Sequence, residues 1–468
     1  MPVYVAEIKY LNILLMKRGE DKLTSDFEKR IGEETLSSVI RRYFSQSVFP
    51  DHMDSPRLTG FQKEALREVV TLAYANSPFY RQKMMQAGVK PQDINNLSDL
   101  AKMPFTTKDE LRRNPWALLA CDKKNISVIH VSTGTTGGQP IYTLATWKEY
   151  YLNMSINYPR LQAVEEDDLC FIALPYEMSA AGLDFHTRFL VGFQAAVMAV
   201  GKGGAYSTPE KTVKLICDLK PNIIATAPSY AITLAEAAAE SSYDLTSLRL
   251  KKMWLAGEGC SPAFRSRLEK IWGTTVNYAF GATECGSIGI ECDEHNGYHI
   301  SQGHVLVEIV DSKTGKVLDP GEIGEIVITC LLRSDTPLIR YRTQDLGCLD
   351  PKPCPCGVTL ERLHLRGRLV DQIVLQGKAY SPVYLENFLM QLPEVGNWYE
   401  FVVKPGDNEQ LKIRTELAAG VKPTAELAEK LAAKMETAIS IPCKFELVSK
   451  LPRTSRKAVR VVYEGSEE

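Results

Sequence analysis

No single sign of charge dominates this chain: 55 Lys plus Arg stand against 57 Asp plus Glu, a net charge of -2 over 468 residues. That balance removes the broad electrostatic pull toward nucleic acid that a basic composition would carry. Long apolar runs are missing too. The longest, Phe189 to Val200, is too short to span a bilayer, and Glu7 and Lys9 interrupt the N-terminal apolar stretch where a signal peptide needs an unbroken core. Neither a membrane nor a secretory route is indicated, so the expected location is cytoplasmic. Internal repeats and low-complexity tracts are absent. The 11 cysteines are scattered apart from Cys354-Pro-Cys356, and they read as buried thiols or metal ligands before a disulfide framework. An apolar fraction of 44% is that of an ordinary globular protein, and the length allows two or three domains with a large core.

What is present concentrates first in Ser132-Thr133-Gly134-Thr135-Thr136-Gly137-Gly138-Gln139-Pro140. Three glycines and four hydroxyl side chains fall in these nine residues, directly after Ile126 to Val131, which reads as a strand. Glycines let backbone N–H groups approach an anion closely, and small hydroxyls add donors without filling the space. A P-loop would end in Gly-Lys-Ser or Gly-Lys-Thr, and this stretch has no lysine. A plain surface loop has the same composition.

Residues 1–60 carry helical periodicity and charge but no recognisable chemistry, and read as a helical N-terminal extension. Phe61 to Gly88 has the pattern of a long amphipathic helix broken near Asn76-Ser77-Pro78. Pro221 to Ala227, Lys252 to Ala256 and Thr275 to Phe280 read as strands, with helices starting near Ser229 and Ser261 between them. This alternation predicts an α/β fold, with a parallel or mixed sheet and ligands outside the carboxyl ends of its strands. Alternating strands from His304 to Leu332, with turns at Ser312 to Gly315 and Asp319-Pro320-Gly321, predict a β-rich part near 300–350. After Gly367 the chain starts again, with a hairpin around Lys404 to Asn408, a helix from about Thr424 to Ile439 and a strand at Phe445 to Val448. The expected division is a large domain over 61–369 and a small α+β domain over 370–468.

Further loops follow the glycine stretch in a particular order. They are Ala256-Gly257-Glu258-Gly259, Phe280-Gly281-Ala282-Thr283-Glu284, Tyr341-Arg342-Thr343-Gln344-Asp345-Leu346, Gly367-Arg368 with Asp371 and Gly377, and Leu451-Pro452-Arg453-Thr454-Ser455-Arg456-Lys457. Over residues 60–468 this ordered set resembles the motifs of the adenylate-forming superfamily, the acyl-CoA synthetases and their relatives. Ser77-Pro-Phe-Tyr80 and Leu100-Ala-Lys-Met-Pro-Phe-Thr-Thr-Lys108 resemble the phenylacetate–CoA ligase branch.

The resemblance implies a multi-subdomain N-terminal domain, a small mobile C-terminal domain, and a homodimer. It implies an ATP-dependent acid–CoA ligase that activates a carboxylic acid as acyl-AMP, transfers it to CoA and releases AMP and pyrophosphate. Ser132, Thr133, Gly134, Thr135, Thr136 and Gly137 would hold the β- and γ-phosphates. Gly257 and Glu258 would flank the adenine, Phe280 would stack near its ring, and Gly281 and Ala282 would complete that nucleotide-binding segment. Thr283 would contact the α-phosphate, Glu284 would ligate Mg²⁺, and Asp345 would bind the ribose, with Arg368 also at the nucleotide. Lys457 would stabilise charge in the adenylation transition state. Three positions depart from the family pattern: Gln139 replaces a lysine that many relatives have before the proline, Arg456 replaces a glycine, and Val370 replaces the usual Asp or Lys of the hinge. Val370 leaves room for an amide ligase with an amine acceptor; a non-catalytic nucleotide-binding relative is a second alternative, against which the presence of Lys457, Glu284 and Asp345 argues. Taken singly, Lys457 is also compatible with a solvated cation of the tail, Asp345 with a turn cap, and Glu284 with a helix start.

Cys292, His299, Cys354 and Cys356 supply three thiolates and one imidazole, a closed structural zinc set with no open position. His295 and Cys285 are nearby rivals. The acyl pocket is expected at Leu174 to Gly182, where Tyr176 and the small Ala181 suit a flat aryl or arylacetic acid. Glu177 and His186 are either readers of a polar substituent or ordinary surface groups.

Overall fold

The computed structural model describes residues 49–132, 139–404, 406–453 and 457–464. The expectation for residues 1–48 lies outside them. The first helix, α1 (Ser55–Asn76), starts before the expected domain boundary at 61. Asp54 caps it by accepting the Arg57 N–H at 2.9 Å, and its buried stripe of Leu58, Phe61, Leu66 and Val69 runs straight across that boundary. The break at Ser77 falls where expected, because Pro78 opens α2 (Pro78–Gln86) and has no N–H to continue the ladder. A third helix, α3 (Lys108–Arg113), is closed by a capping box between Thr107 and Glu110.

β1 (Ile126–Ser132) and β2 (Ile141–Thr146) form an antiparallel hairpin on either side of the glycine stretch, with Ser132 opposite Ile141. After α4 (Trp147–Ser155) the chain builds the main sheet. The strands β3 (Leu169–Ala173), β4 (Ala196–Ala199), β5 (Ile223–Thr226), β6 (Lys252–Leu255) and β7 (Val276–Ala282) lie parallel in the spatial order β4-β3-β5-β6-β7. The helices between them are α5 (Ala180–Thr187), α6 (Pro209–Leu219), α7 (Pro228–Glu240) and α8 (Pro262–Trp272). Every residue of β5 and β6 is buried, as a strand covered on both faces requires.

The sheet does not stop at β7. β8 (Gly286–Glu291), β9 (Tyr298–Ile300), β10 (Val305–Val310), β11 (Gly324–Cys330), β12 (Tyr341–Asp350) and β13 (Arg362–Arg368) extend it in the order β8-β9-β13-β12-β11-β10, to eleven strands. The β-rich part is therefore the antiparallel half of one sheet, continuous with the parallel half. The hairpin of β14 (Ile373–Leu375) and β15 (Lys378–Tyr380) leads into the small domain. Its sheet, in the order β18-β17-β16-β19, combines β16 (Val395–Lys404), β17 (Asp407–Leu417), β18 (Cys443–Leu447) and β19 (Val461–Tyr463) with α9 (Pro382–Leu389) and α10 (Ala425–Ile439).

Polar contacts fasten the two domains together. Arg267 on α8 donates to the carbonyls of Met390, Leu392 and Val395 at 2.8 Å each, and Glu386 accepts the Ser261 N–H at 2.6 Å. Arg453 bridges Glu236 on α7 and Glu416 on β17 while lying over the Trp398 ring. Among the described residues, no helix is long and apolar enough to cross a membrane.

Candidate active site

The antiparallel half of the sheet places Asp345 and Arg368 as cross-strand partners on β12 and β13, with Arg368 Nε 3.4 Å from Asp345 Oδ1. Glu284 sits in the tight turn between β7 and β8. Tyr341, the first residue of β12, donates its hydroxyl to Glu284 Oε1 at 3.2 Å, and Arg333 donates to the Glu284 carbonyl at 2.6 Å. Glu284 and Asp345 thus belong to one wall. The same strand holds the segment before α3: the Thr106 N–H bonds the Arg340 carbonyl, and the Thr106 carbonyl accepts the Arg342 N–H, both at 2.9 Å. Those two bonds set Lys108, at the start of α3, among Glu284, Asp345 and Arg368. Burial lowers the pKa of the Lys108 ammonium while the two carboxylates oppose that shift. Burial raises Asp345, which Arg368 and Lys108 counter.

The parallel half contributes the facing wall. A Cβ on Gly259 would stand 2.6 Å from Val383 Cγ2, so the loop after β6 must stay bare for the small domain to lie against it. In that loop Glu258 accepts from Lys202 Nζ at 2.7 Å, from Ser229 Oγ at 2.8 Å and from the Ser229 N–H at 3.2 Å. Both members of the ion pair are buried, and the pair keeps Glu258 below the usual carboxylate range against its desolvation. The Ala458 N–H of the small domain also donates to Glu258, at 3.3 Å. The carboxylate is thereby committed, leaving the backbone of Gly257 and Glu258 to line the space.

Ala458 follows Lys457, whose side chain reaches solvent yet has protein on most sides. Desolvation lowers its pKa, Arg368 and Lys202 push the same way, and Glu258 and Asp345 oppose them. Both walls and the tail of the small domain therefore meet in one cleft. Phe280, Ala282 and Thr283 are half-buried and Gly281 is exposed along the β7 end of it, with the Phe280 ring 5.9 Å from that of Tyr298. Ser132 accepts the Ile141 N–H at 3.3 Å where the hairpin closes. Thr133, Gly134, Thr135, Thr136 and Gly137 lie outside the described residues, as does Arg456.

In the segment where the acyl pocket is expected, Tyr176 and Ala181 are half-buried and Glu177 is exposed. His186 is engaged with Tyr176, its Nδ1 3.2 Å from the tyrosine hydroxyl. The Val131 N–H donates to the Met178 carbonyl at 2.8 Å, clamping this loop to the strand that feeds the glycine stretch.

The four sulfur and nitrogen candidates also converge. Ligand atoms of Cys292, His299, Cys354 and Cys356 all lie within 4.8 Å of one another. Cys292 Sγ is 3.7 Å from Cys354 Sγ, and Cys356 Sγ is 3.3 Å from His299 Nε2. Tetrahedral zinc with Zn–S of ~2.3 Å and Zn–N of ~2.0 Å needs separations of ~3.8 and ~3.6 Å. The Leu360 carbonyl lies 3.1 Å from His299 Nδ1 and accepts its proton, which leaves the Nε2 lone pair facing the cluster. The rivals are elsewhere: His295 lies beside Glu269 and Glu291, and the Cys285 carbonyl faces the Cys330 thiol.

Two cations of the cleft are additions to the residues singled out from sequence. Lys108 stands inside the Pro-Phe-Thr-Thr-Lys wording that carries the resemblance, so a signal was present. Lys202, between Gly201 and Gly203, has none.

Residues 30–330 match the family described as AMP-binding enzyme, and residues 377–464 match the AMP-binding enzyme C-terminal domain. The chain is 32% identical over 370 residues to a phenylacetate-coenzyme A ligase of Thermus thermophilus, an overlap of 77% of this chain and 82% of that one. Its fold superposes with a TM-score of 0.82 on 2-hydroxyisobutyryl-CoA ligase in the postadenylation state, at 22% identity and covering 88% of this chain and 91% of the other. Against the same enzyme in the thioesterification state the TM-score is 0.64 at 23% identity, covering 88% and 91%.

Proposed function

The chain belongs to the AMP-binding enzyme family, and we propose that within it the protein is an AMP-forming acid–CoA ligase for an aryl or arylacetic acid. The observation that carries this reading is Lys457 of the small domain standing in electrostatic reach of Asp345, Arg368 and Glu258. A carboxylate oxygen of the substrate attacks the α-phosphorus of ATP, the bond to the β-phosphate oxygen breaks, and pyrophosphate leaves with that electron pair. No protein nucleophile or base is required, so catalysis rests on positioning and charge. Lys457 and Lys108 supply positive charge beside the phosphates, Asp345 takes the ribose hydroxyls, and Thr283 contacts the α-phosphate. Glu284 is the carboxylate that would hold Mg²⁺, which offsets phosphate charge when bound. In the second step the CoA thiol loses its proton and attacks the acyl carbon, and AMP departs.

The Cys292, His299, Cys354 and Cys356 set fits a structural zinc that ties the loop between β12 and β13 to β8 and β9. A cytoplasmic location and a homodimer accompany this reading, the latter checked by light scattering of the purified protein. The principal test is exchange of labelled pyrophosphate into ATP across a panel of carboxylic acids. Aryl and arylacetic acids should support it, and silence across them rejects the substrate class. Adding CoA should give the thioester; accumulation of an amide with amines and no thioester with CoA would replace this reading with the amide ligase.

A further inference from the structure

Helix α5 presents two different stripes. Gly182 and His186 face Tyr176: a Cβ on Gly182 would lie 2.5 Å from the Pro175 carbonyl oxygen and 3.0 Å from Tyr176 Cδ2, and His186 bonds the Tyr176 hydroxyl. Ala181, Asp184 and Thr187, spaced by three, share another stripe of the helix. That stripe meets α4, whose Tyr150 in turn lies near β1. Thr187 Oγ1 lies 3.1 Å from the Tyr150 hydroxyl, and the Tyr150 ring is 6.3 Å from that of His130, two residues before the end of β1.

Two polar groups near Tyr150 are left without a hydrogen bond among the described residues. His130 is 7% exposed, and its Nε2 has no hydrogen bond. The half-buried Asp184 carboxylate has no hydrogen bond among the described residues, and Arg188 bears on it electrostatically. Arg188, one turn later, spends its guanidinium on the Ile156 and Asn153 carbonyls and on Asn157 Oδ1. A carboxyl group held in such a place without a partner is costly unless something else supplies one.

We propose that Asp184 is a specificity-determining residue that accepts a hydrogen bond from a hydroxyl or amino substituent on the ring of the acid, remote from its carboxylate. This deepens the aryl-acid reading above and rests on it. It moves the reading of a polar substituent away from Glu177, which is exposed, and His186, which is engaged with Tyr176. Burial raises the Asp184 carboxyl to about 7, with Arg188 opposing, and in either protonation state a carboxyl oxygen accepts from a hydroxyl or an amino group. His130 stands beside Tyr150 as a second polar group.

The test measures kcat/KM for adenylation of phenylacetic, 4-hydroxyphenylacetic, 3-hydroxyphenylacetic and 4-aminophenylacetic acids by the full chain, Asp184→Ala and Asp184→Asn. The full chain should favour a donor-bearing acid by up to ~10²-fold, because the analogue that lacks the donor leaves the carboxyl group unpaired. Asp184→Ala should lose that preference and gain on phenylacetic acid, with KM for ATP unchanged, and Asp184→Asn should retain part of it. An unchanged ranking in Asp184→Ala, or a full chain that prefers the unsubstituted acid, overturns the proposal and leaves the aryl-acid ligase standing. If no aryl acid supports exchange, both fall. Should Asp184→Ala fail to fold, the near-isosteric Asp184→Asn carries the same comparison.

Discussion

The cleft around Lys457 and the Cys292–His299–Cys354–Cys356 cluster are both built from residues distant in sequence, yet they are opposite kinds of site. In the cluster the four donors already face one another inside a single sheet region, and one of them is oriented by a backbone carbonyl. The cleft is open. Its cations Lys108, Lys202, Arg368 and Lys457 outnumber what Glu258, Glu284 and Asp345 neutralise, and Lys457 arrives on a separate domain. A closed set of ligands does structural work, whereas surplus positive charge in an open cleft suits a polyanionic substrate.

Removing the metal should give the largest effect on the closed side of that contrast. Elemental analysis should find about one zinc per chain, and stripping it withdraws binding free energy that reaches ~10 kcal/mol in small zinc peptides. Cys354→Ser should therefore lower Tm markedly, with activity falling only as folded protein is lost. A metal-free preparation with unchanged Tm would erase the distinction. On the open side, Lys457→Ala should do the reverse, leaving Tm in place while adenylation slows by ~10²–10³-fold, the value of one preorganised charge-stabilising donor. Thioester formation from supplied acyl-adenylate should be spared, and equal loss in both half-reactions would count against the assigned role.

Asp184 tests a third, intermediate environment, a half-buried titratable group without a hydrogen bond among the described residues. Its folded pKa of about 7 lies above that of an unfolded Asp, so the folded state holds a proton that the unfolded state releases. Its contribution to stability is therefore most favourable below pH ~4 and is lost as pH rises toward 7, by a few kcal/mol at most on the order expected for such a shift. Arg188 and Tyr150 are the charged and titratable groups that bear on it. Chemical denaturation of Asp184→Asn should match the parent near pH 4 and exceed it at pH 8. The smallest effect is expected at Lys108, one of several cations in the cleft. Lys108→Ala should raise KM for ATP by ~10-fold, the scale of one charge-assisted hydrogen bond; no change would remove it from the nucleotide.

Much of the fold was legible because its signals are local. Thr424 before the α10 stripe, Pro78 after Ser77 and the apolar runs of β5 to β7 each act through neighbours in sequence, and their elements lie where the pattern put them. Boundaries were less so. The stripe of α1 continues through residue 61, and alternation along β10 and β11 predicts a β-rich part without saying which sheet its strands join.

Residue types alone determined that three thiols and an imidazole, and a hydroxyl- and glycine-rich stretch followed by acidic loops, were worth placing together. Only the tertiary structure decided which lysines, among 55 basic residues, would stand in the cleft, and that Asp184 would be desolvated with Arg188 as its charged neighbour. Composition and spacing carry the chemistry a side chain is capable of. Its desolvation and its neighbours, which set what that chemistry is used for, exist only once distant strands have paired.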